Sequence, residues 1–304
     1  MRSKNTLKSG RRPVRRLAVI GGGRVGQTLG RLLRRRGYII AAVVCRTPAH
    51  ARRAARFIGQ GRPTTRLDDL GCVPWKWLLI TTPDAAIRST AAALARQPFH
   101  WPGKTVIHCS GYLSSDALRP LVERGAAAAS MHPLQTFARP AEALDAVRGA
   151  YFAVEGDVRG VRRARRMVAD LGGRTVILPT TDKTLYHAAA FLACGHLSAL
   201  VALAVRLLGR VGLTEPRAKA LLYPLMARTL ENLVRLPATQ AITGPIRRGD
   251  AETVQAHLQA LEAAGENQTR DVYKLLGEVM VGLLEGEPLP KAEARRLRRL
   301  LREG

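Results

Sequence analysis

The chain has 304 residues, 46% of them hydrophobic, which is enough for two domains with their own cores and excludes a disordered protein. Its formal net charge of +26 is of the kind that attracts nucleic acid. However, residues 1–67 contain no Asp or Glu, so most of the excess positive charge lies in this segment. No RNA-binding motif accompanies this charge. We therefore do not expect specific nucleic-acid binding.

The cysteines and the N-terminus indicate a cytoplasmic protein. The four cysteines are widely spaced and form no C-x-x-C pair, which predicts neither a disulfide framework nor a zinc site. Residues 1–15 are basic and lack the apolar core of a signal peptide, so we predict a disordered tail. The most apolar run, His187 to Val205, predicts a buried core helix rather than a membrane span.

A glycine-rich turn lies between a predicted strand, Leu17–Ile20, and a helix-period run, Thr28–Leu33. This context favours a dinucleotide-binding turn, in which successive glycines permit a tight turn, close approach of a pyrophosphate and close helix packing. A glycine-rich turn without a ligand is the alternative. The predicted phosphate-binding residues are Gly21, Gly22, Gly23, Arg24, Val25 and Gly26.

The end of the second predicted strand, Tyr38–Val44, bears on the choice of cofactor. NAD sites place an Asp or Glu about 20 residues after the glycines, whereas NADP sites use a nearby Arg. Arg46 occupies this position, next to Thr47, and no carboxylate precedes Asp68. The sequence therefore predicts NADP, with an ordinary surface arginine as the alternative for Arg46.

Strands and helices alternate up to residue 178, and only helices follow. The predicted strands include 77–82, 104–109, 126–131, 150–155 and 175–178, and the later helices cover 183–208, 215–236, 250–264, 269–284 and 291–301. This order predicts an α/β fold: an N-terminal Rossmann doubly wound, mostly parallel sheet over residues 16–180, then an all-α domain over residues 181–304. The nearly all-apolar first helix predicts a homodimer through the C-terminal helices.

Several polar residues follow predicted strands, where ligands of open α/β sheets bind. Thr82 and Pro83 are predicted to lie near the nicotinamide. Ser110 and the Gly111 amide are predicted to bind a substrate carbonyl or carboxylate, although Ser-Gly also suits a simple turn. His132 is a candidate acid or base, with a strand-capping histidine as the alternative, and Gln135 is a candidate substrate contact.

The helical domain contributes further candidates. Lys183 and His187 stand at i and i+4, hence on one helix face, with a solvated helix-start lysine and a histidine satisfied in the core as the alternative. Arg247 lies in a Gly/Pro loop and is a candidate clamp for an anionic substrate, although the loop also suits a helix entry with Asp250 as N-cap. Asn232 is a candidate substrate contact, and no spacing of His, Cys or Asp indicates a metal site.

Five motifs together resemble the 6-phosphogluconate-dehydrogenase-like superfamily, which includes ketopantoate reductase, prephenate dehydrogenase and the deazaflavin-dependent NADP reductases. Closest is a bacterial family of Rossmann-like proteins with a C-terminal helical domain of unknown function. The motifs are Gly21–Gly30, His108–Gly111, His132–Phe137, Lys183–His187 and Ile242–Asp250. The resemblance implies a reductase-type fold, with Lys183 as a general acid and His132 at the reacting group. Relatives carry an asparagine where this chain has His187 or Gly195.

The sequence thus predicts an NADP-dependent oxidoreductase that reduces a carbonyl or imine of a small anionic substrate in an interdomain cleft. Its predicted catalytic residues are Lys183, His187, His132 and Ser110. A non-catalytic NADP-binding sensor or scaffold is the alternative.

Overall fold

The computed structural model describes residues 14–303. Residues 1–13 of the predicted tail lie outside this range, whereas Arg15 donates hydrogen bonds to Tyr38 and Asp170. The chain divides into two compact units between Cys194 and Gly195. The predicted domain boundary near residue 180 stays a prediction.

The first unit contains one eight-stranded sheet with the order β3-β2-β1-β4-β5-β6-β7-β8. All neighbouring strands are parallel except β6 and β7, which are antiparallel. The predicted fold class, a mostly parallel Rossmann sheet followed by helices, is confirmed. The strands are β1 (Arg16–Ile20), β2 (Ile39–Val44), β3 (Arg62–Thr64), β4 (Trp77–Ile80), β5 (Thr105–His108), β6 (Ala127–Pro133), β7 (Tyr151–Gly156) and β8 (Arg174–Ile177).

Helices cover both faces of this sheet, which is why strands such as β2 and β4 are apolar throughout. One core contains side chains of α1, α2 and α6, and the other contains side chains of α3 and α4. The helices of the first unit are α1 (Arg24–Arg35), α2 (Pro48–Ile58), α3 (Asp84–Ala95), α4 (Arg119–Val122), α5 (Ala143–Ala146), α6 (Val158–Leu171) and α7 (Lys183–Phe191).

The second unit is helical, and its core lies among α11, α12 and α13. Asp250 caps α11, because its carboxylate accepts a hydrogen bond from the Thr253 N–H. The helices of this unit are α8 (Leu197–Arg210), α9 (Glu215–Arg235), α10 (Ala238–Ala241), α11 (Ala251–Ala263), α12 (Asn267–Leu284) and α13 (Lys291–Glu303).

The long apolar helix of the sequence is present as α7, a π-helical turn (Leu192–His196) and α8. Within residues 14–303, the helical stretch Thr180–Arg210 is the one that is long and apolar enough to cross a membrane by length and composition. Its most apolar window has a mean hydropathy of 2.1, and 0% of that window is buried. This differs from the expectation of a buried core helix.

Candidate functional site

The glycine turn after β1 is built for close backbone packing. Gly21 has φ +100°, and a Cβ there would lie 2.6 Å from the Thr81 carbonyl carbon. A Cβ on Gly26 would overlap the Gly21 carbonyl oxygen, which already accepts a 2.6 Å hydrogen bond from Thr81 Oγ1. Gly23 differs, because an added Cβ would meet none of the described atoms within 4 Å. The turn is therefore tight at Gly21 and Gly26 and open at Gly23.

A cavity of about 920 Å³ opens above this turn, at the carboxyl ends of β1, β2 and β4. Gly23 is the N-cap of α1 and has no side chain to cover the first N–H groups of that helix. These N–H groups carry the positive end of the helix dipole and favour an anion. Thr82 also lines this cavity. Its Oγ1 is buried and has no hydrogen-bond partner among the described residues. An open glycine, a free helix N-terminus and an unsatisfied hydroxyl fit a dinucleotide phosphate.

Positively charged and imidazole side chains line the β2 end of this cavity. Arg46 is joined there by His50 and Arg53 of α2, which the sequence analysis did not identify. Their spacing at i and i+3 places both on one helix face. Thr47 does not line the cavity; its side chain accepts a hydrogen bond from the His50 N–H and caps α2.

The turn after β5 is held by its own side chains. Ser110 Oγ accepts hydrogen bonds from the N–H groups of Tyr112 and Leu113, so this buried hydroxyl closes the turn. His108 accepts the Ser110 N–H at Nδ1, which leaves Nε2 to donate to the Ser114 carbonyl at 3.0 Å. Burial, with the Lys183 charge nearby, lowers the pKa of His108 to about 3, and the ring is neutral.

Lys183 lies beneath this turn and is only 1% exposed. Its Nζ donates to the Ser110 carbonyl oxygen at 2.8 Å and to Ser130 Oγ, and it lies 3.9 Å from Oε1 of Glu155. Glu155 in turn accepts hydrogen bonds from the Ser115 N–H and hydroxyl and from Thr180. Burial lowers the pKa of Lys183 to about 8, although Glu155 opposes this shift.

His132, at the end of β6, is joined to α7 by a 2.9 Å hydrogen bond between its Nδ1 and the Tyr186 hydroxyl. The ring of His187 packs edge-on against it, with centroids 5.8 Å apart. Both imidazoles lie on Gly111, where an added Cβ would lie 2.9 Å from His132 Nε2 and overlap His187. Burial, then Lys183 and His187, lowers the pKa of His132 to about 4, and burial raises that of Tyr186 to about 12.

A second cavity, of about 550 Å³, opens beside these rings and is called the His132 pocket below. Gln135 lies at its rim, where its side chain bonds the Ala146 carbonyl and the Thr136 N–H. The lining residues are His132, Leu134, Gln135, Thr136, Tyr186, His187, Ala189, Ala190, Phe191, Ala193 and Cys194. The sheet order places this pocket two strands from Pro83, at the same edge as the glycine cavity.

Two family models match the chain. Residues 1–133 match a Rossmann-like domain, and residues 150–280 match a domain of unknown function, DUF2520. A comparison with curated proteins gives no match.

Solved structures share this architecture. Protein TM1727 from Thermotoga maritima is 26% identical, with a TM-score of 0.68 over 90% of this chain and 100% of that chain. BF3122 from Bacteroides fragilis, provisionally named an NADP oxidoreductase, is 22% identical, with a TM-score of 0.73 over 88% and 98%. An imine reductase from Pseudomonas sp. is 18% identical, with a TM-score of 0.57 over 95% and 93%. The last two likenesses establish the fold.

The predicted substrate contacts Asn232 and Arg247 both lie in the DUF2520 match. Asn232 is half-buried on α9, and its carbonyl accepts the Leu236 N–H. Arg247 donates from Nη1 to the carbonyl oxygens of Thr239 and Ile242, so it holds the end of α10. Their roles in substrate binding stay predictions.

The structure also identifies residues that the sequence analysis missed. Tyr186 is at i+3 from Lys183, a spacing that places it on the same helix face and could have indicated it. Glu155 is a lone carboxylate at the end of an apolar strand. Among residues 14–303, no cluster of three or more His, Cys, Asp or Glu side chains is arranged to hold a metal ion.

Proposed function

We propose that the protein is an NADP-dependent oxidoreductase that reduces a carbonyl or imine. One observation carries the proposal: an open glycine cavity and the His132 pocket lie at the same edge of one sheet, two strands apart. Adjacent strands are about 4.8 Å apart, so the ends of β4 and β6 are separated by about 10 Å. A dinucleotide held at Gly23 would lie at this edge of the sheet.

When bound, the nicotinamide cofactor supplies a hydride. The glycine turn and Thr82 would hold its phosphates, and Arg46 and Arg53 would favour a 2′-phosphate over a free hydroxyl. At the other site, the rings of His132 and His187 reach the pocket surface, whereas Lys183 and Ser110 lie beneath it and fix the turn that carries Gly111. We keep Lys183 as a candidate proton donor, to be tested against His132.

Calorimetric titration tests the cofactor assignment. NADPH should bind more tightly than NADH, and Arg53→Ala should weaken NADPH binding by about 10- to 100-fold, the loss of one charge-assisted contact, without changing NADH binding. Arg52→Ala is the matched control, because Arg52 is exposed on the same helix but does not line the cavity. Equal affinity for both cofactors, or binding of neither, would refute the assignment.

A non-catalytic NADP-binding sensor is the second candidate function. It is favoured by the deep burial of Lys183, which removes one predicted acid from the pocket surface. A screen of ketones, keto acids and cyclic imines with NADPH separates the two functions. Tight NADPH binding with no oxidation of NADPH by any compound would support the sensor.

We also propose that α8 and α9 form a homodimer interface. Exposed apolar side chains recur on α9, including Leu221 (60% exposed) and Leu225 (66%), and apolar residues of α8 are exposed beside them. A second copy covers such a face with an identical one across a two-fold axis. Arg206 and Arg210 at the end of α8 form ion pairs with Glu266, which are suited to an aqueous setting.

Light scattering after size exclusion tests this interface. The wild type should have twice the chain mass of 33.1 kDa, and Leu225→Glu should dissociate it. Val158→Glu is the control, since Val158 is 86% exposed on α6, outside the proposed interface. A monomeric wild type, or recovery only from the membrane fraction, would contradict the dimer.

A further inference from the structure

The His132 pocket is lined by uncharged polar and apolar side chains. Its polar side chains are His132, Gln135, Thr136, Tyr186 and His187. Leu134 and the alanines of α7 form much of the remainder, and their short side chains leave room beside the helix. In the part of the chain that the structure describes, no Asp, Glu, Lys or Arg lines this pocket.

Two buried charges near the pocket, Lys183 and Glu155, are paired with each other. Lys183 Nζ lies 3.9 Å from Glu155, and both side chains are at most 3% exposed. The Lys183 ammonium donates hydrogen bonds to Ser110 and Ser130. The Glu155 carboxylate accepts hydrogen bonds from Ser115 and Thr180. Among the described residues that line the pocket, an anionic group would therefore find no side-chain cation. An unpaired charge removed from water is strongly disfavoured.

We propose that the His132 pocket binds an uncharged, mostly apolar ketone, and that the hydrogen-bonded His132 and Tyr186 side chains donate the proton to its oxygen. This proposal rests on the reductase function proposed above, and it differs from the sequence-based expectation of an anionic substrate.

The proton can leave from either member of the pair. If the Tyr186 hydroxyl donates to His132 Nδ1, then His132 Nε2 carries a proton and lies over Gly111. If Nδ1 donates to the Tyr186 oxygen, the phenol proton is directed outward instead. In both arrangements a neutral pair offers one donor, and the low pKa of His132 keeps the ring neutral near pH 7.

The reaction balances with NADPH as the reductant. The carbonyl carbon gains a hydride, the π bond is lost, and the oxygen takes a proton from the pair to give an alcohol. NADPH becomes NADP⁺, and the pair regains its proton from water. His132 and Tyr186 are thus returned to their starting state after each turnover.

Matched ligands test the substrate class by calorimetry and by thermal shift on NADP⁺-saturated protein, in which no hydride is available and the ketones bind without reacting. Acetophenone and cyclohexanone are compared with their carboxylate-bearing analogues, acetylbenzoate and oxocyclohexanecarboxylate. We expect each uncharged ketone to bind more than about tenfold more tightly than its analogue. Equal or tighter binding of the carboxylates, or binding of neither member of either pair, overturns the proposal. Failure of NADPH itself to bind overturns the reductase function instead.

Tyr186→Phe tests the proton donor. It removes only the hydroxyl, so ketone reduction should fall by about 10²–10⁴-fold while NADPH affinity stays unchanged. The ¹⁵N chemical shift of His132 Nδ1 should move as well, which a packing role for Tyr186 would not cause. Tyr151→Phe is the control, because Tyr151 is exposed on β7 and its hydroxyl contacts Arg174. Unchanged turnover, or an unchanged Nδ1 shift, refutes the assignment of the pair.

Discussion

Two glycines of the same turn should differ in how alanine affects the stability of the protein. Gly23 has φ −75° and ψ −170°, an extended conformation open to any residue, and an added Cβ meets no described atom within 4 Å. An alanine there lowers the entropy of the unfolded chain, which stabilises by about 0.4–1 kcal/mol. It is a poorer N-cap than glycine, which offsets that gain. We expect Gly23→Ala to leave Tm within about 2 °C of wild type.

NADPH binding should nevertheless suffer in Gly23→Ala, because the methyl group occupies the space through which a pyrophosphate approaches the N-terminus of α1. Loss of one hydrogen bond to a charged group removes about 1.5–3 kcal/mol, which weakens the Kd by about 10- to 100-fold. Calorimetry gives the Kd, and differential scanning calorimetry gives Tm. Wild-type affinity in Gly23→Ala would refute the placement of the phosphates.

Gly26→Ala provides the comparison. Its Cβ would overlap the Gly21 carbonyl oxygen and Thr81 Oγ1, which are themselves hydrogen-bonded, so backbone must move. Overpacking of this kind costs about 1–3 kcal/mol, or several degrees of Tm. Gly26→Ala should lose both stability and affinity. If Gly23→Ala loses the same stability, its weaker binding reflects a damaged turn and not a blocked site.

Three further substitutions test the site beneath and beside the pocket. Gly111→Ala should displace the His132 and His187 rings and lower turnover by about 100-fold at unchanged NADPH affinity, and wild-type turnover in steady-state assays would contradict this. The free energy of unfolding of the wild type, measured with urea, should rise between pH 8 and 10. In this range Lys183 of the folded protein, with its pKa of about 8, has released a proton that the unfolded chain still holds. Lys183→Met should remove this pH dependence. His108→Phe should lower the free energy of unfolding by about 1–3 kcal/mol for each backbone group that loses its hydrogen bond to His108. It should also reduce the loss of stability as pH falls from 6.5 toward 3, measured by urea midpoints at pH 7 and 5.

Continuous apolar runs in the sequence predict most of the strands, because a parallel strand covered on both faces is apolar along its length. β3 was missed for a physical reason: Arg62–Thr64 is three residues long, contains a proline and pairs only with β2 at the sheet edge. The exposure of α8 could not be predicted from the sequence either, because an apolar helix has the same composition whether it is buried or exposed.

The candidate site was predicted in part. Backbone geometry determines the glycine turn, and glycine spacing is visible in sequence, so Gly21, Gly23 and Gly26 could be interpreted directly. The cluster around His132 depends instead on contacts between residues distant in the chain. The bond from His132 to Tyr186 joins positions 54 residues apart, and no local pattern at His132 indicates it.

Lys183 shows how placement and chemistry separate. The Lys183–His187 motif predicts its position at the start of a helix. The resemblance to the 6-phosphogluconate-dehydrogenase-like superfamily implies a proton donor there. What decides its chemistry lies elsewhere: Ser110 and Ser130 on neighbouring strands take its hydrogen bonds, and Glu155 on the antiparallel strand β7 balances its charge. A buried ammonium so engaged can fix the turn beneath Gly111 without reaching the substrate. If Lys183→Met abolishes turnover, and Lys183→Arg keeps the turn but restores no turnover, the ammonium moves the proton. If Tyr186→Phe abolishes turnover with Lys183 intact, the proton donor is at the pocket surface.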